Sequence, residues 1–168
     1  MSDFQTSGFH IIPLNLPAKW LEFVLSEQWV ELDKLLNEDI NEEGGLLRAT
    51  AEELLFKIYK SFRAKYETML SVRLGPQDED QEGIWHDDSS RHMAFSLSLN
   101  TEPRIIKGGE LSLRPKPYKG VEEKVIETQP YGNLVAFLTG QRSFEHKVSR
   151  VTNGKRVVFV IWATLQEV

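Results

Sequence analysis

Hydrophobic positions along the chain change period part-way through. Between Pro17 and Leu36, the residues Leu21, Val24, Leu25, Leu32, Leu35 and Leu36 recur at largely helical spacing, which predicts one helix, or two broken near Ser26. A further helical stripe passes through Ala51, Leu55, Ile58, Phe62 and Met69, and it opens on Thr50 and Glu53, the spacing of a capping box. Between these segments NEDINEEGG, Asn37 to Gly45, is polar and acidic and ends in a glycine pair, so it reads as a solvated loop. FHIIPL, Phe9 to Leu14, reads as a short opening strand.

After about Ser71 the period becomes strand-like. Short runs separated by turn residues cover Leu70 to Leu74, Ile84 to Asp88, Met93 to Leu99, Glu110 to Leu113, Lys124 to Thr128, Asn133 to Leu138, Glu145 to Val151 and Arg156 to Thr164. Many short strands after a helical start predict an α+β chain, with an antiparallel sandwich or barrel on which the helices pack. The expectation is a single domain over 1–168, with helical support over about 15–70 and a β core over about 70–165.

Composition narrows the chemistry. A chain of 168 residues with 40% hydrophobic and 27% charged positions is ordinary for one globular domain. A net charge of -5 argues against a nucleic-acid backbone as partner, because phosphate binding needs a concentrated positive surface. The absence of cysteine excludes disulfides, thiolate catalysis and thiolate-held metals, so any metal is held by nitrogen and oxygen. The first residues lack a basic stretch followed by a long apolar run, and no apolar run approaches membrane-spanning length; a cytoplasmic protein without membrane attachment is expected.

The stretch IWHDDSSRHMAFSLSLN, Ile84 to Asn100, carries the most chemistry. On an extended chain His86 and Asp88 share a face and Asp87 points away, which makes a two-point metal grip. Alone that spacing is common. Downstream, His146 lies in the strand-like FEHKV and Arg156 opens the apolar run RVVFVIW. Two histidines and one carboxylate leave metal positions open for other ligands, as non-haem iron(II) requires, although zinc accepts the same three residues. Arg156, at the edge of a buried strand, wants a carboxylate partner; a salt bridge within the protein would serve, and so would a dicarboxylate cosubstrate.

His86, Asp88, Arg91, the strand ending at Leu99 and Asn100, GGEL from Gly108, PYGNLVAF from Pro130, His146, Arg156 and Trp162 together resemble the 2-oxoglutarate and iron(II)-dependent dioxygenases, most closely their prolyl-hydroxylase-like branch. The likeness covers roughly Leu70 to Thr164. It implies a double-stranded β-helix, a jelly-roll or cupin-like core with supporting helices. It also implies Fe(II) held by His86, Asp88 and His146, with 2-oxoglutarate and molecular oxygen as cosubstrates and Arg156 on the distal carboxylate. The activity implied is hydroxylation of a protein, peptide or small-molecule substrate, with 2-oxoglutarate decarboxylated to succinate. The alternation in MAFSLSL sets Ala94, Ser96 and Ser98 on one face, and turning it inward makes Ser98 a candidate hydrogen bond to the cosubstrate. One departure is that VRLGPQDEDQEG, Val72 to Gly83, lacks the tyrosine that many relatives carry before the His-x-Asp pair. That departure motivates an alternative, a non-catalytic jelly-roll module that senses a metal or a small acid.

The remaining candidates read more plainly. His92 is a surface or supporting histidine, His10 a packed or edge residue, and Arg91 a brace for the turn through Asp87. Lys107, Arg114, Lys116 and Lys119 sit on a proline-containing loop that is either simply solvated or a grip for an acidic or extended polypeptide. Trp85 reads as core, whereas Trp162 shares a strand face with Arg156 and is placed to line the pocket.

Overall fold

The computed structural model describes residue 4 and residues 7–75, 83–116, 122–141 and 143–166. Strand β1 (Phe9–Pro13) is followed by helices α1 (Ala18–Leu25), α2 (Trp29–Asn41) and α3 (Leu46–Phe56). Seven more strands follow: β2 (Arg63–Gly75), β3 (Met93–Ser98), β4 (Leu111–Pro115), β5 (Lys124–Ile126), β6 (Asn133–Leu138), β7 (Phe144–Val148) and β8 (Gly154–Gln166). They form a five-stranded sheet in the order β1-β6-β3-β8-β2 and a three-stranded sheet in the order β5-β4-β7, with every pairing antiparallel. This is the double-stranded β-helix with supporting helices that the resemblance implied. Among the described residues no helix is long and apolar enough to cross a membrane.

The helical segment breaks at Ser26, where Glu27 adopts a left-handed φ of 55° and the Ser26 hydroxyl donates to the Glu22 carbonyl at 2.7 Å. Helix α2 then runs through much of the acidic stretch read as loop. Ile40 continues the stripe of Leu32 and Leu36, all three fully buried, while Glu38 between them is exposed. One apolar residue in nine decided the matter, because it fell on the buried stripe.

The expected capping box is absent. Thr50 lies inside α3 and its hydroxyl donates to the Leu46 carbonyl, while Glu53 pairs with Lys57 at 2.8 Å. The free amides of α3 are served instead by Asp39 of α2, whose carboxylate accepts from Leu46 N at 3.1 Å and Leu47 N at 2.6 Å. An acid at the N-terminus of a helix satisfies orphan donors and opposes the helix dipole together. Gly45 permits this closeness, since a Cβ there would lie 1.9 Å from the Asp39 carbonyl oxygen.

Helix α3 also stops at Phe56, and β2 begins at Arg63, earlier than the change of period near Ser71 suggested. Phe62 and Met69 therefore leave the helical stripe, and Met69 lies on β2. Strand β2 is two-faced: Tyr66, Leu70 and Val72 pack against the core, and Thr68 donates to Asn37 of α2. Met69, Ser71 and Arg73 turn to the opposite side, into the space between the sheets.

Candidate active site

The backbone brings the distant histidines together. His86 N donates to the His146 carbonyl at 3.0 Å and His146 N returns a bond to the His86 carbonyl at 2.8 Å, an isolated antiparallel bridge. Their ring centroids lie 4.2 Å apart. The rest of Ile84 to Asp88 forms no strand. Asp88 reaches its partners by another route than the extended alternation expected: its φ is 57° and that of Ser89 is 59°, so a left-handed turn swings the carboxylate round. Left-handed non-glycine residues are uncommon, and they persist where the surroundings hold them.

Asp88 Oδ1 lies 3.5 Å from His86 Nε2, and its Oδ2 lies 3.5 Å from His146 Nε2. One ligand atom from each of the three residues falls within 4.8 Å of the others, a spacing suited to a shared cation. The donor chemistry fits as well. His86 Nδ1 sits 2.8 Å from the Ile84 carbonyl, which can only accept, so the proton is on Nδ1 and the Nε2 lone pair is free for metal. Burial lowers His146 to about 4 against the opposing, upward pull of the Asp88 carboxylate, which keeps its imidazole neutral and able to ligate at ordinary pH. Asp88 Oδ2 accepts from the Trp162 indole at 3.1 Å and lies 3.2 Å from the Thr139 hydroxyl. The side chains of Asp88 and His146 are buried, whereas that of His86 is 48% exposed, so the site opens on the His86 side.

A cavity of about 130 Å³ runs inward from His86 and His146 to Arg156. Phe137, Val148, Val158 and Val160 supply apolar walls, and Ser71 and Ser96 supply hydroxyls. Arg156 is only 7% exposed, and its Nε has no hydrogen-bond partner among the described residues. Burial first, then the like charge of Arg73, lowers its pKa to about 10 against the opposing pull of Glu110; it remains a cation at neutral pH. A buried guanidinium with an orphan donor beside a cavity is suited to a carboxylate ligand.

Ser98 occupies a neighbouring position. It lines a smaller recess that also touches Arg156, while its hydroxyl donates to the Gln129 carbonyl at 2.6 Å and accepts from Asn100 Nδ2 at 2.8 Å. Of Ser96 and Ser98, Ser96 is the one that lines the cavity beside His86 and His146.

Asp87 pairs with Lys116, not with Arg91, and that ion pair, with the Ser89 amide, holds its carboxyl below the usual range. Arg91 instead bonds Glu67 at 2.9 Å and stacks on Trp162 with its guanidinium 4.6 Å from the ring centre. His92 Nδ1 accepts from Leu165 N at 3.2 Å, a supporting role, and His10 is exposed on edge strand β1. Of the basic loop, Arg114 is bonded to Glu145 and Lys116 to Asp87. Lys119 lies outside the described residues, as does most of the tyrosine-free stretch after Val72. Trp85 is half-buried between cations, 4.1 Å from Arg114 and 4.7 Å from Lys147, and is no core residue. Sequence reasoning passed over Thr139 and Arg73. Thr139 carried no signal, but Arg73 alternates with Met69 and Ser71 and so could have been assigned to one face with them.

Residues 71–164, more than half the chain, match the family model of the 2OG-Fe(II) oxygenase superfamily. The chain belongs to that superfamily. No curated protein sequence matches it. Among solved structures it is similar to a prolyl-4-hydroxylase from Pseudomonas putida, with 17% identity, TM-score 0.60, and coverage of 96% of this chain and 87% of that one. A prolyl hydroxylase from Trichoplax adhaerens, in complex with a hypoxia inducible factor oxygen degradation domain peptide fragment, gives 18%, 0.61, 97% and 86%. SnoN, a non-haem α-ketoglutarate-dependent epimerase from nogalamycin biosynthesis, gives 11%, 0.65, 96% and 79%. At these identities the likenesses establish the shared fold. This 2OG-Fe(II) oxygenase has its candidate iron ligands His86, Asp88 and His146 gathered at one site, and the family implies Fe(II) and 2-oxoglutarate there.

Proposed function

We propose that this oxygenase is a hydroxylase that acts on a side chain of a polypeptide, with a prolyl residue as the leading target. The observation that carries the reading is the single cavity, open beside His86, that joins His86 and His146, with Asp88 grouped beside them, to Arg156. With iron(II) and 2-oxoglutarate bound, such a site couples decarboxylation of the 2-oxo acid to succinate with oxidation of a substrate C–H bond by molecular oxygen. His86, Asp88 and His146 hold the metal. Arg156 receives the distal carboxylate of 2-oxoglutarate, and the apolar walls of Phe137, Val148, Val158 and Val160 exclude water. Trp162 and Thr139 keep the Asp88 carboxylate oriented. Ser98 acts one step away: through Asn100, whose Oδ1 accepts from Val157 N at 2.7 Å, it steadies the strand beside Arg156.

Support for a polypeptide target is the exposure of His86 on the open side, together with two similar structures that are prolyl hydroxylases, one of them holding a peptide. The test is anaerobic addition of iron(II) and 2-oxoglutarate, followed by oxygen and a panel of proline-containing peptides. A visible charge-transfer band, succinate formation and a peptide gaining one oxygen atom are expected. A folded protein without the band would instead be a non-catalytic binding module. Succinate formed with every peptide unmodified would remove the polypeptide assignment.

A further inference from the structure

Trp85 and the basic residues Arg114 and Lys116 stand outside the cavity, yet the fold brings them together on the segment that carries two of the ligands. That segment has no strand ladder to hold it. The isolated His86–His146 bridge ties it to β7, and Gly83 N donates to the Val148 carbonyl at 3.0 Å just before it. Strand β7 alternates: His146 and Val148 line the cavity, and Glu145 and Lys147 turn to the opposite face. Strand β4 does likewise, with Leu113 buried opposite His146 and Arg114 paired in register with Glu145. Because His86 meets His146, its neighbour Trp85 falls on the outer face. There the ring centre lies 4.1 Å from the Arg114 guanidinium and 4.7 Å from the Lys147 ammonium. A cation over an aromatic face is attracted by the ring quadrupole, most strongly when the ring is indole. Acids hold both cations in place, since Arg114 Nε donates to Glu145 at 2.9 Å and Lys147 lies 3.5 Å from Glu123. Two residues after Trp85, Asp87 pairs with Lys116, two residues after Arg114, so the segment is gripped from outside at alternate positions. The peptide joining Ile84 to Trp85 also carries the carbonyl that lies 2.8 Å from His86 Nδ1, so fixing Trp85 fixes both the ligand and the acceptor that sets its tautomer.

We propose that Trp85 is a positioning residue for the metal site: its ring, held by Arg114 and Lys147 on the outer face of the smaller sheet, sets the direction in which His86 presents Nε2. The inference rests on the reading of His86 as a metal ligand. Its consequence is that the most exposed of the three ligands is aimed by a cation-held ring on the far side of the chain, where a continuous strand pairing is lacking.

The test compares the full chain with Trp85→Leu, which keeps an apolar side chain without a ring, and with Trp85→Phe, which restores a ring. Mn(II) affinity is read by chelator competition, and the His86 tautomer by NMR of the imidazole nitrogens in the metal-free protein. Trp85→Leu is expected to weaken Mn(II) about ten-fold or more, the usual loss when a group behind a ligand is removed, and to average the two tautomers of His86. Trp85→Phe is expected to recover most of both. Lys147→Met leaves Trp85 in place and removes one cation; it is expected to weaken Mn(II) about two- to five-fold, and it carries the test if Trp85→Leu does not fold. In folded Trp85→Leu, either a wild-type Mn(II) affinity or a wild-type His86 tautomer overturns the proposal. Equal losses in Trp85→Leu and Trp85→Phe, or wild-type affinity in Lys147→Met, overturn it too, because the ring held by cations is then not what aims the ligand. A wild-type protein that takes no Mn(II) overturns the metal reading of His86 and this inference with it.

Discussion

The indole Nε1 of Trp162 donates to Asp88 Oδ2 at 3.1 Å, which ties β8, an inner strand of the larger sheet, to the one carboxylate among the candidate iron ligands. Partners behind a ligand orient it, and their loss typically weakens metal binding about 10- to 100-fold. Trp162→Phe keeps a ring beneath Arg91 but removes the donor. Its Mn(II) affinity, measured by chelator competition, is expected to fall by at least about ten-fold with little change in melting temperature. An unchanged affinity would show that the hydrogen bond does not position Asp88.

Gly109 makes room for Arg156, the proposed anchor of the cosubstrate. Its φ is 77°, and a Cβ there would lie 2.4 Å from Arg156 Cδ. Gly109→Ala is therefore expected to cost about 1–2 kcal/mol of stability and to weaken 2-oxoglutarate about ten-fold or more by displacing the guanidinium. Metal stoichiometry should stay at the wild-type value. Calorimetry and metal analysis on one preparation separate the two effects, and wild-type cosubstrate affinity would contradict the crowding argument.

Ser98 offers a sharp contrast with Arg156. Its hydroxyl is engaged with Gln129 and Asn100, so Ser98→Ala is expected to lose about 1–2 kcal/mol in urea unfolding. Its 2-oxoglutarate affinity should match the wild type. A large drop in affinity at full stability would return Ser98 to direct contact with the cosubstrate.

Tyr66 supplies a pH signature remote from the metal. Its buried hydroxyl has no hydrogen-bond partner among the described residues, and burial, then Glu52, raises it to about 12; burial alone raises Tyr131 to about 12 as well. A phenol raised in the folded state contributes stability that is whole below its unfolded value near 10 and is lost as pH rises through 12. Melting temperature should therefore drop over pH 10–12 in the wild type, less steeply in Tyr66→Phe. At neutral pH that variant should be no less stable, because no bond is broken. An identical alkaline slope in both proteins would refute the assignment.

How much of this was legible in the sequence depended on how local each cause is. Asn133 to Leu138 announces itself by composition, and the strand occupies those residues. Arg156, at the head of an apolar run, could be singled out because a buried cation demands a partner. By contrast, Ile40 and Asp39 were hidden in an acidic stretch, since their roles, filling the core and capping α3, exist only once α2 and α3 are adjacent. The left-handed turn at Asp88 was equally invisible: alternation assigned it to the face of His86, and the residues do converge, but through backbone geometry no residue type advertises. Arg73 acquired significance only through its register against Arg156, a pairing made across much of the chain.

The reciprocal backbone bridge between His86 and His146 closes a long loop, and a metal on the two rings would close it a second time, through side chains. In a chain without cysteine, such an ion would be a removable cross-link, doing for the open edge of the barrel what a disulfide does in a secreted domain. Because it binds the folded chain alone, an ion present at about a hundred times its dissociation constant would add about 2.7 kcal/mol. The oxygenase would then be sturdiest in the form that is ready to react, and its supply of metal would govern its lifetime as well as its turnover.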